Sequence, residues 1–540
     1  MRRICEDRRI WRTLASVAAC LAGACSPQWF VADADREVNA LLAEYEHRVI
    51  DEWADGIVRP ATLPPEPAET ETHRETRVVP EPAEPPILVD LATALETAFA
   101  SSRDFQDARE SLYLTGLGYT LTRHNFGPVL NSTVSYLWSD AEDAEGGDSL
   151  DADFGVGMPI PTGADVRLDS SVSGTRGDDP GLLRFDEDTF YDALVRVQIS
   201  QPLLRGGGRL VRYESLTQGE RNLVYAVRDF ELFREDFAIL IANAYFDLVS
   251  QKQQLVIVEQ DYEAAVFDSE RAKALQELDR DQAQQVFLAQ RREIEAEDRM
   301  LDARTSLELA LDDFRILLGL PTSRAIEIAD VEPPFKEIRF DPDSAVRCAL
   351  ANRLDLHTER DRLADAQRQV AIARNGLLPD LDLTASYGND GAGDRFSSAG
   401  PDAWQASVGV RLEIPLDRKA ERNQYRSSLI GLARTERRVE RRHDEVERDV
   451  VNRLRELERT QKQIEIQETQ IARERRAVAV EEIRFDAGDV DARDLLEARQ
   501  GLTDSLNSLI DLRVDHFIAR LRLRRDLGIF LVNSKGMWQE

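Results

Sequence analysis

The stretch RFDAGDVDARDLLEAR, residues 484–499, sets Asp486, Asp489, Asp491, Asp494 and Glu497 around a single helix breaker, Gly488. Asp494 and Glu497 are three residues apart, so on a helix they face the same way. Carboxylates at this density attract cations, or complement the positive end of a helix that restarts after a bend. Acid pairs elsewhere in the chain sit on helical patterns that read as solvated surface. The six histidines (His47, His73, His124, His357, His443 and His516) have no ligand spacing. No Ser-His-Asp or Cys-His grouping lies near a plausible nucleophile turn. RGGGR, Arg205–Arg209, lacks the Lys-Ser/Thr of a phosphate loop and the spaced glycines of a dinucleotide fingerprint. It follows an alternating strand ending at Pro202, and reads as a strand-to-helix turn through Gly206, Gly207 and Gly208. The sequence predicts no enzyme, no metal site and no cofactor.

Those acids must be held by something long. The 540-residue chain exceeds one compact core, and 31% charged residues against 7% aromatic ones suit extended solvated helices. A formal net charge of −31 argues against nucleic acid, which needs a basic face. It argues equally against docking on anionic lipid through a basic patch. Residues 1–24 read as an export signal: five arginines before position 13, then the small apolar run TLASVAACLAGAC. LAGACS and VAAC both resemble lipoprotein cleavage boxes, which makes Cys25 the expected acylated residue, with Cys20 and ordinary cleavage after AGA as alternatives. Residues 25–86 form an acidic, proline-rich extension expected to be mobile, with room for a short helix near Ala34–Ile50. No later segment is apolar enough for a membrane helix, so any membrane crossing must be a closed β-barrel.

The body begins at ILVDLATALETAFA, where Leu91, Leu95, Ala98 and Phe99 keep helical spacing. Strands follow. Leu130, Val134, Tyr136 and Trp138 share one face opposite Asn131, Thr133 and Ser135, and Tyr191, Ala193, Val195, Val197 and Ile199 alternate with polar residues. A further hairpin turning at Pro161, Thr162 and Gly163 is expected to be an extracellular loop, the alternative being that it enters the membrane and adds barrel strands. Beyond Arg209 the pattern is helical, with Ile241, Leu248, Leu255 and Tyr262 seven apart.

The chain then repeats the design. NRLDLHTERDRLADAQRQVAIARNGLLPDLDLTASYG echoes SSRDFQDARESLYLTGLGYTLTRHNFGPVLNSTVSYL, and VGVRLEIPLDRKAERNQYRSSL echoes VRVQISQPLLRGGGRLVRYESL. Each strand pair ends in proline, Pro202 or Pro415, and the second long stripe runs Val450, Leu457, Ile464, Ile471, Val478 and Phe485. Seven-residue spacing held this long keeps a seam on a neighbouring helix. The acidic stretch at Gly488 is the bend between two such helices, and KALQELDRDQAQQV is its first-half counterpart. The boundaries expected are 87–335 for the first repeat, 336–530 for the second and 531–540 for a tail.

Helix, strand pair, SQPLLRGGG, long helical hairpin, all duplicated behind a lipobox, resembles the TolC-like outer membrane factors over about Ile87–Ile529. ANAYFDLV, ALANRLDL and FDAGDVDARDLLEARQGL carry the same likeness. The resemblance implies a mixed α+β membrane protein: a homotrimer sharing one transmembrane β-barrel, usually of twelve strands, in the outer membrane, with a coiled-coil helical tunnel through the periplasm. It implies a passive exit duct for tripartite efflux or type I secretion, lipid-anchored through Cys25. A periplasmic adaptor and an inner-membrane pump of RND or ABC type would dock at the helical tips. It places Asp494 and Glu497 in an acidic ring at the periplasmic mouth and makes Gly488, Asp489 and Val490 the hairpin tip. Val490 stands where many members carry a basic residue, Asp279 where glycine is usual and Gln285 where an acid often sits. The competing reading is a periplasmic adaptor lipoprotein with a coiled-coil hairpin, although adaptors carry one hairpin and this chain carries two.

Overall fold

In the computed structural model, the described residues are 27–50, 86–141, 144–177, 190–278, 283–331, 333–336, 341–393, 403–487 and 492–538. The helices are α1 (Pro27–Ile50), α2 (Leu91–Ser101), α3 (Arg103–His124), α4 (Arg209–Arg212), α5 (Glu214–Leu278), α6 (Ala283–Leu317), α7 (Pro342–Asn352), α8 (Leu354–Asn375), α9 (Lys419–Ala487) and α10 (Ala492–Asp526). The strands are β1 (Ile87–Val89), β2 (Val129–Ala141), β3 (Ala144–Pro159), β4 (Asp165–Gly177), β5 (Phe190–Pro202), β6 (Ile326–Ile328), β7 (Asp380–Gly393) and β8 (Ala403–Glu413).

The duplication is visible in element lengths. α2 and α7 each have 11 residues, α3 and α8 each have 22, and α6 and α10 each have 35. The long partners, α5 and α9, have 65 and 69 residues, so each runs about 100 Å at 1.5 Å per residue. Both short helices start from an aspartate cap: the Asp90 carboxylate accepts from Thr93 N at 2.8 Å, and Asp341 from Ser344 N at 3.0 Å.

Two compact units make up the chain, and each gathers three separate segments. The first comprises Met1–Tyr45, Leu112–Ala226 and Thr358–Glu440. Its centre is a six-stranded sheet in the order β2-β3-β4-β5-β7-β8, antiparallel throughout. The hairpin expected to be a loop is corrected in one respect: β3 and β4 are paired along their length inside the sheet, between β2 and β5. Val129 pairs with Gly157, Asp165 with Ser200, Pro202 with Asp382, and Asp380 with Glu413. One edge of the sheet therefore carries the Ile160–Ala164 turn together with every strand–helix junction.

The N-terminal extension is also more ordered than its composition suggests. α1 packs Val38, Leu41, Leu42 and Tyr45 against the body. A side chain at Gly116 would meet Val38 Cγ1 at 2.9 Å, so the glycine lets α1 approach α3. The Tyr113 hydroxyl donates to Asp35 at 2.5 Å and the Tyr45 hydroxyl to Glu220 at 3.1 Å. Burial together with these carboxylates raises both phenols well above their usual range, so both act as donors at any physiological pH.

The second unit comprises Glu46–Ser111, Val227–His357 and Arg441–Glu540. It holds the parallel pair β1–β6 and most of the long helical stripes. On α9, Val450, Leu457, Ile464 and Ile471 are buried, whereas Val478 and Phe485 are half-buried. On α5, Ile241 and Leu248 are buried and Leu255 and Tyr262 half-buried. The seven-residue seam thus loosens toward the hairpin ends. α2, α3 and α5 contribute a ring cluster, with Phe99, Phe105 and Phe237 mutually 4.6–5.5 Å apart between centroids.

Two charged groups sit deep in this unit. Arg234 is fully buried; its guanidinium donates to Glu231 at 2.5 Å and to the carbonyls of Val532 and Asn533 at 2.7 and 3.1 Å. It thereby fastens the segment after α10 to α5. Next to it, burial pushes the Glu235 carboxyl up to about 8; Glu231 and Asp236 push the same way, against Arg525 and Arg234. A folded-state value above the unfolded one means that ionisation costs stability. The cost is absent below the unfolded value, grows as pH rises, and levels off above about 8. Glu235→Gln is expected to melt like the parent near pH 4.5 and to be more stable by up to a few kcal/mol at pH 8.5. Thermal denaturation across that range checks it, and a pH-independent difference would contradict it.

Candidate functional site: an amphipathic wall and an acidic helical bend

The sheet has two chemically opposite faces, and the register carries them across all six strands. One face takes Leu130, Val134 and Tyr136 from β2, then Leu150, Ala152, Phe154 and Val156 from β3. It continues through Leu168 and Val172 on β4 and Tyr191, Ala193, Val195 and Val197 on β5. Tyr387 and Ala385 on β7 and Val408, Val410 and Leu412 on β8 complete it. This face is uncovered: Leu130 is 67% exposed, Val134 70%, Trp404 71% and Val408 78%. An apolar area this large and continuous exceeds what a water-facing monomer tolerates.

The opposite face is polar. Asn131, Thr133 and Ser135 on β2 lead to Asp151 and Asp153, Arg167 and Asp169, Arg196 and Gln198, then Asp382, Ser386 and Arg411. Opposite charges fall in register: Asp169 lies across from Arg196, and Arg411 donates to Asp382 at 2.9 Å. The Ser386 and Ser407 hydroxyls meet at 2.7 Å. Such a ribbon fits a boundary with hydrocarbon on one side and water on the other. Among the described residues no helix is long and apolar enough to cross a membrane.

The glycine-rich loop is where this ribbon joins the helices, as the sequence suggested. Pro202 closes β5, Leu203 N donates to Leu381 O at 2.7 Å, and Gly206 N donates to the Asn375 side chain at 2.9 Å. Arg205 spans Asp380 at 3.6 Å and Glu421 at 3.7 Å. Gly206 and Gly208 have φ of 79° and 92°, and a side chain at Gly207 would meet Pro202 O at 2.8 Å. On the other junction, Arg418 donates to Pro415 O at 3.1 Å and Leu377 O at 2.9 Å, fixing the turn from β8 into α9.

The sequence did not reveal why three consecutive glycines are needed. The β3–β4 turn rests on them. Gly208 N donates to Thr162 O at 2.9 Å, and Gln201 binds Thr162 through Nε2–O at 3.1 Å and Oγ1–Oε1 at 2.7 Å. Arg212 pairs with Asp165 at close range. Gly163, at φ 104°, lies so close that a side chain there would be 3.2–3.3 Å from the backbone of Gly206, Gly207 and Gly208.

The second candidate region is the α9–α10 bend. Gly488, Asp489 and Val490 lie outside the described residues, as do Asp279 in the first-half bend, Cys20 and Cys25. Asp494 falls in the first turn of α10, where a carboxylate complements the helix dipole, and both Asp494 and Glu497 are exposed. Neither forms an ion pair with a described residue. Close by, sequence reading missed a network that ties the bends together. Arg499 bridges Asp268 of α5 at 2.7 Å and Glu482 of α9 at 3.0 Å. Arg292 grips Asp261 at 3.0 and 3.1 Å, and both Arg292 and Arg299 donate to Gln500 at 2.9 and 2.7 Å. Burial raises the Asp268 carboxyl despite Arg499 and Arg271 nearby. No group of three or more His, Cys, Asp or Glu able to hold a metal occurs among the described residues.

Residues 345–529 match the family described as outer membrane efflux protein. Over 241 residues the chain is 27% identical to the pyoverdine export outer membrane protein OpmQ of Pseudomonas aeruginosa; the match covers 43% of this chain and 46% of that protein, about half its length. The fold is that of solved outer membrane channels. The Campylobacter jejuni CmeC outer membrane channel superposes with a TM-score of 0.60 at 13% identity, covering 83% of this chain and 86% of its own. The outer membrane protein VceC of Vibrio cholerae superposes with a TM-score of 0.60 at 16% identity, covering 81% and 96%.

If the apolar face meets lipid, a charge there should be costly. Val408→Arg is expected to weaken folding into bilayers by about 2–4 kcal/mol, whereas Ser407→Arg on the polar face should cost under about 1. Urea titration of the protein refolded into liposomes reads both, and equal costs would contradict the facial assignment.

Proposed function

We propose that this chain, a TolC-like outer membrane factor whose residues 345–529 form an outer membrane efflux protein domain, is the outer-membrane channel component of an export system. The observation that carries this reading is the uncovered apolar face running in register over six antiparallel strands, backed by a polar face. Six strands cannot close a channel alone, so identical copies, three by the family's pattern, would share one barrel. The paired helices α5/α6 and α9/α10 would line a periplasmic tunnel and offer their bends to an adaptor and an inner-membrane pump. The chain would be a passive duct, its energy supplied by the pump, and an acyl group on Cys25 would add a lipid tether. Planar-bilayer recording of the purified oligomer is the direct test: stepwise ion conductance is expected, and a water-soluble species without conductance would refute the reading. Cys25→Ser is expected to leave the protein in the membrane fraction, because the barrel alone holds it there; release by washing would favour a tethered adaptor.

The exposed Asp494 and Glu497 support an acidic ring at the tunnel mouth. Three copies of the pair around an axis would attract cations into a constriction. Asp494→Ala combined with Glu497→Ala is expected to weaken block by multivalent cations several-fold. Unchanged block would leave Asp494 as a helix-terminus charge only.

A further inference from the structure

Resting on the channel reading, we infer that the β3–β4 hairpin is part of the membrane wall, so that each protomer supplies six staves and three copies close an eighteen-stranded barrel. The resemblance by itself implies twelve. Three observations carry the inference. First, the hairpin continues the apolar band: Ala152 stands beside Val134 and Val172, and Val156 beside Leu130 and Leu168, with Phe154 between the small side chains of Ser132 and Ser170. From Leu150 to Met158 the band follows β3 for nine residues, about 30 Å at 3.3 Å per residue, the path of a tilted strand through hydrocarbon.

Second, the hairpin's polar side keeps the same character as its neighbours. Asp151 and Asp153 face Ser173 and Ser171, and Asp169 faces Arg196. A loop projecting into water has no reason to segregate apolar and polar residues by face. Third, the hairpin is anchored at the end of the sheet where the strands meet the helices, through Gly163 on Gly206–Gly208, Thr162 on Gln201, and Asp165 with Arg212. That end faces the periplasm, and an extracellular loop would turn at the other.

Strand directions permit the closure. β2 leaves the helix end and β8 returns to it, so the two free edges of neighbouring copies pair antiparallel, like every other pair in the sheet. With strands about 4.8 Å apart and tilted about 40°, eighteen of them enclose a cylinder about 35 Å across between backbones, against about 24 Å for twelve. The membrane section then passes hydrated solutes, chains or globules up to about 25 Å wide once side chains are allowed for, leaving discrimination to the helical mouth.

Cysteines placed by face, in a Cys348→Ser background reconstituted into liposomes, test this. Phe154→Cys and Val172→Cys on the hairpin's apolar side are expected to react at least tenfold more slowly with a water-soluble maleimide than Asp153→Cys and Ser171→Cys. They should match Val195→Cys and Val408→Cys on β5 and β8. Bimane attached at the same positions and quenched by nitroxide-labelled lipid gives a second reading, usable where one variant folds poorly at position 154. If the hairpin's apolar positions react as fast as its polar ones while Val195→Cys and Val408→Cys stay shielded, the wall has four staves per copy and this inference falls while the channel stands. If all four apolar positions react quickly, the sheet is not in lipid and the channel reading itself falls.

Discussion

The structure turns on the two edges of its antiparallel sheet. Among the described residues, β2 and β8 are each paired with a strand on one side only. In water such edges are a hazard; in hydrocarbon they are prohibitive, because no solvent can satisfy them. On the proposed reading, in which the apolar face meets hydrocarbon, the edges would be closed by other copies, and assembly and membrane insertion would be a single requirement. The duplicated architecture serves it: each repeat delivers strands flanked by prolines and short junctions that return the chain to the helices.

The helices solve a different problem. They are densely charged with both signs and still hold narrow apolar seams. Local ion pairs do part of this work. Asp355, bonded to Arg353 at 2.7 Å and to Arg442 more closely, would be raised by burial, yet the two guanidiniums draw its carboxyl down to about 2. Its contribution is present above the unfolded value and is lost only as pH falls through about 2. Near the bends the apolar seam thins, and the Asp261, Asp268, Arg292 and Arg499 contacts replace it. Ion pairs exchange more readily than interlocked side chains, so this is the part of the long helices best suited to rearrange.

Much of this was legible in the sequence. Seven-residue spacing located both long helical pairs, the echo between halves predicted matching elements, and period-two alternation found β2, β5, β7 and β8. The hairpin was read as a loop rather than as sheet for a physical reason. In AEGGDSLDADFGVGMP the polar face is built from Gly, Asp and Ser, the residues of loops, and only register with neighbours reveals the apolar face between them. α1 was underestimated because the charge and proline of residues 51–86 dominate the composition, hiding Val38, Leu41, Leu42 and Tyr45 on one helical face. The acidic pair at positions 494 and 497 was singled out by the resemblance, spacing adding only that both face one way, and the ring proposed for it would need symmetry that a single chain does not contain.

Because β2 and β5 run in opposite directions, excising the hairpin between them would leave two strands already oriented to zip together. The insert is in effect a cassette whose removal needs no rethreading of the chain. In a threefold assembly each such splice changes the circumference by six strands at once. Bore in such an assembly would thus be quantised, and a lineage could move from a narrow gauge to a wide one in a single genetic step without altering the helices.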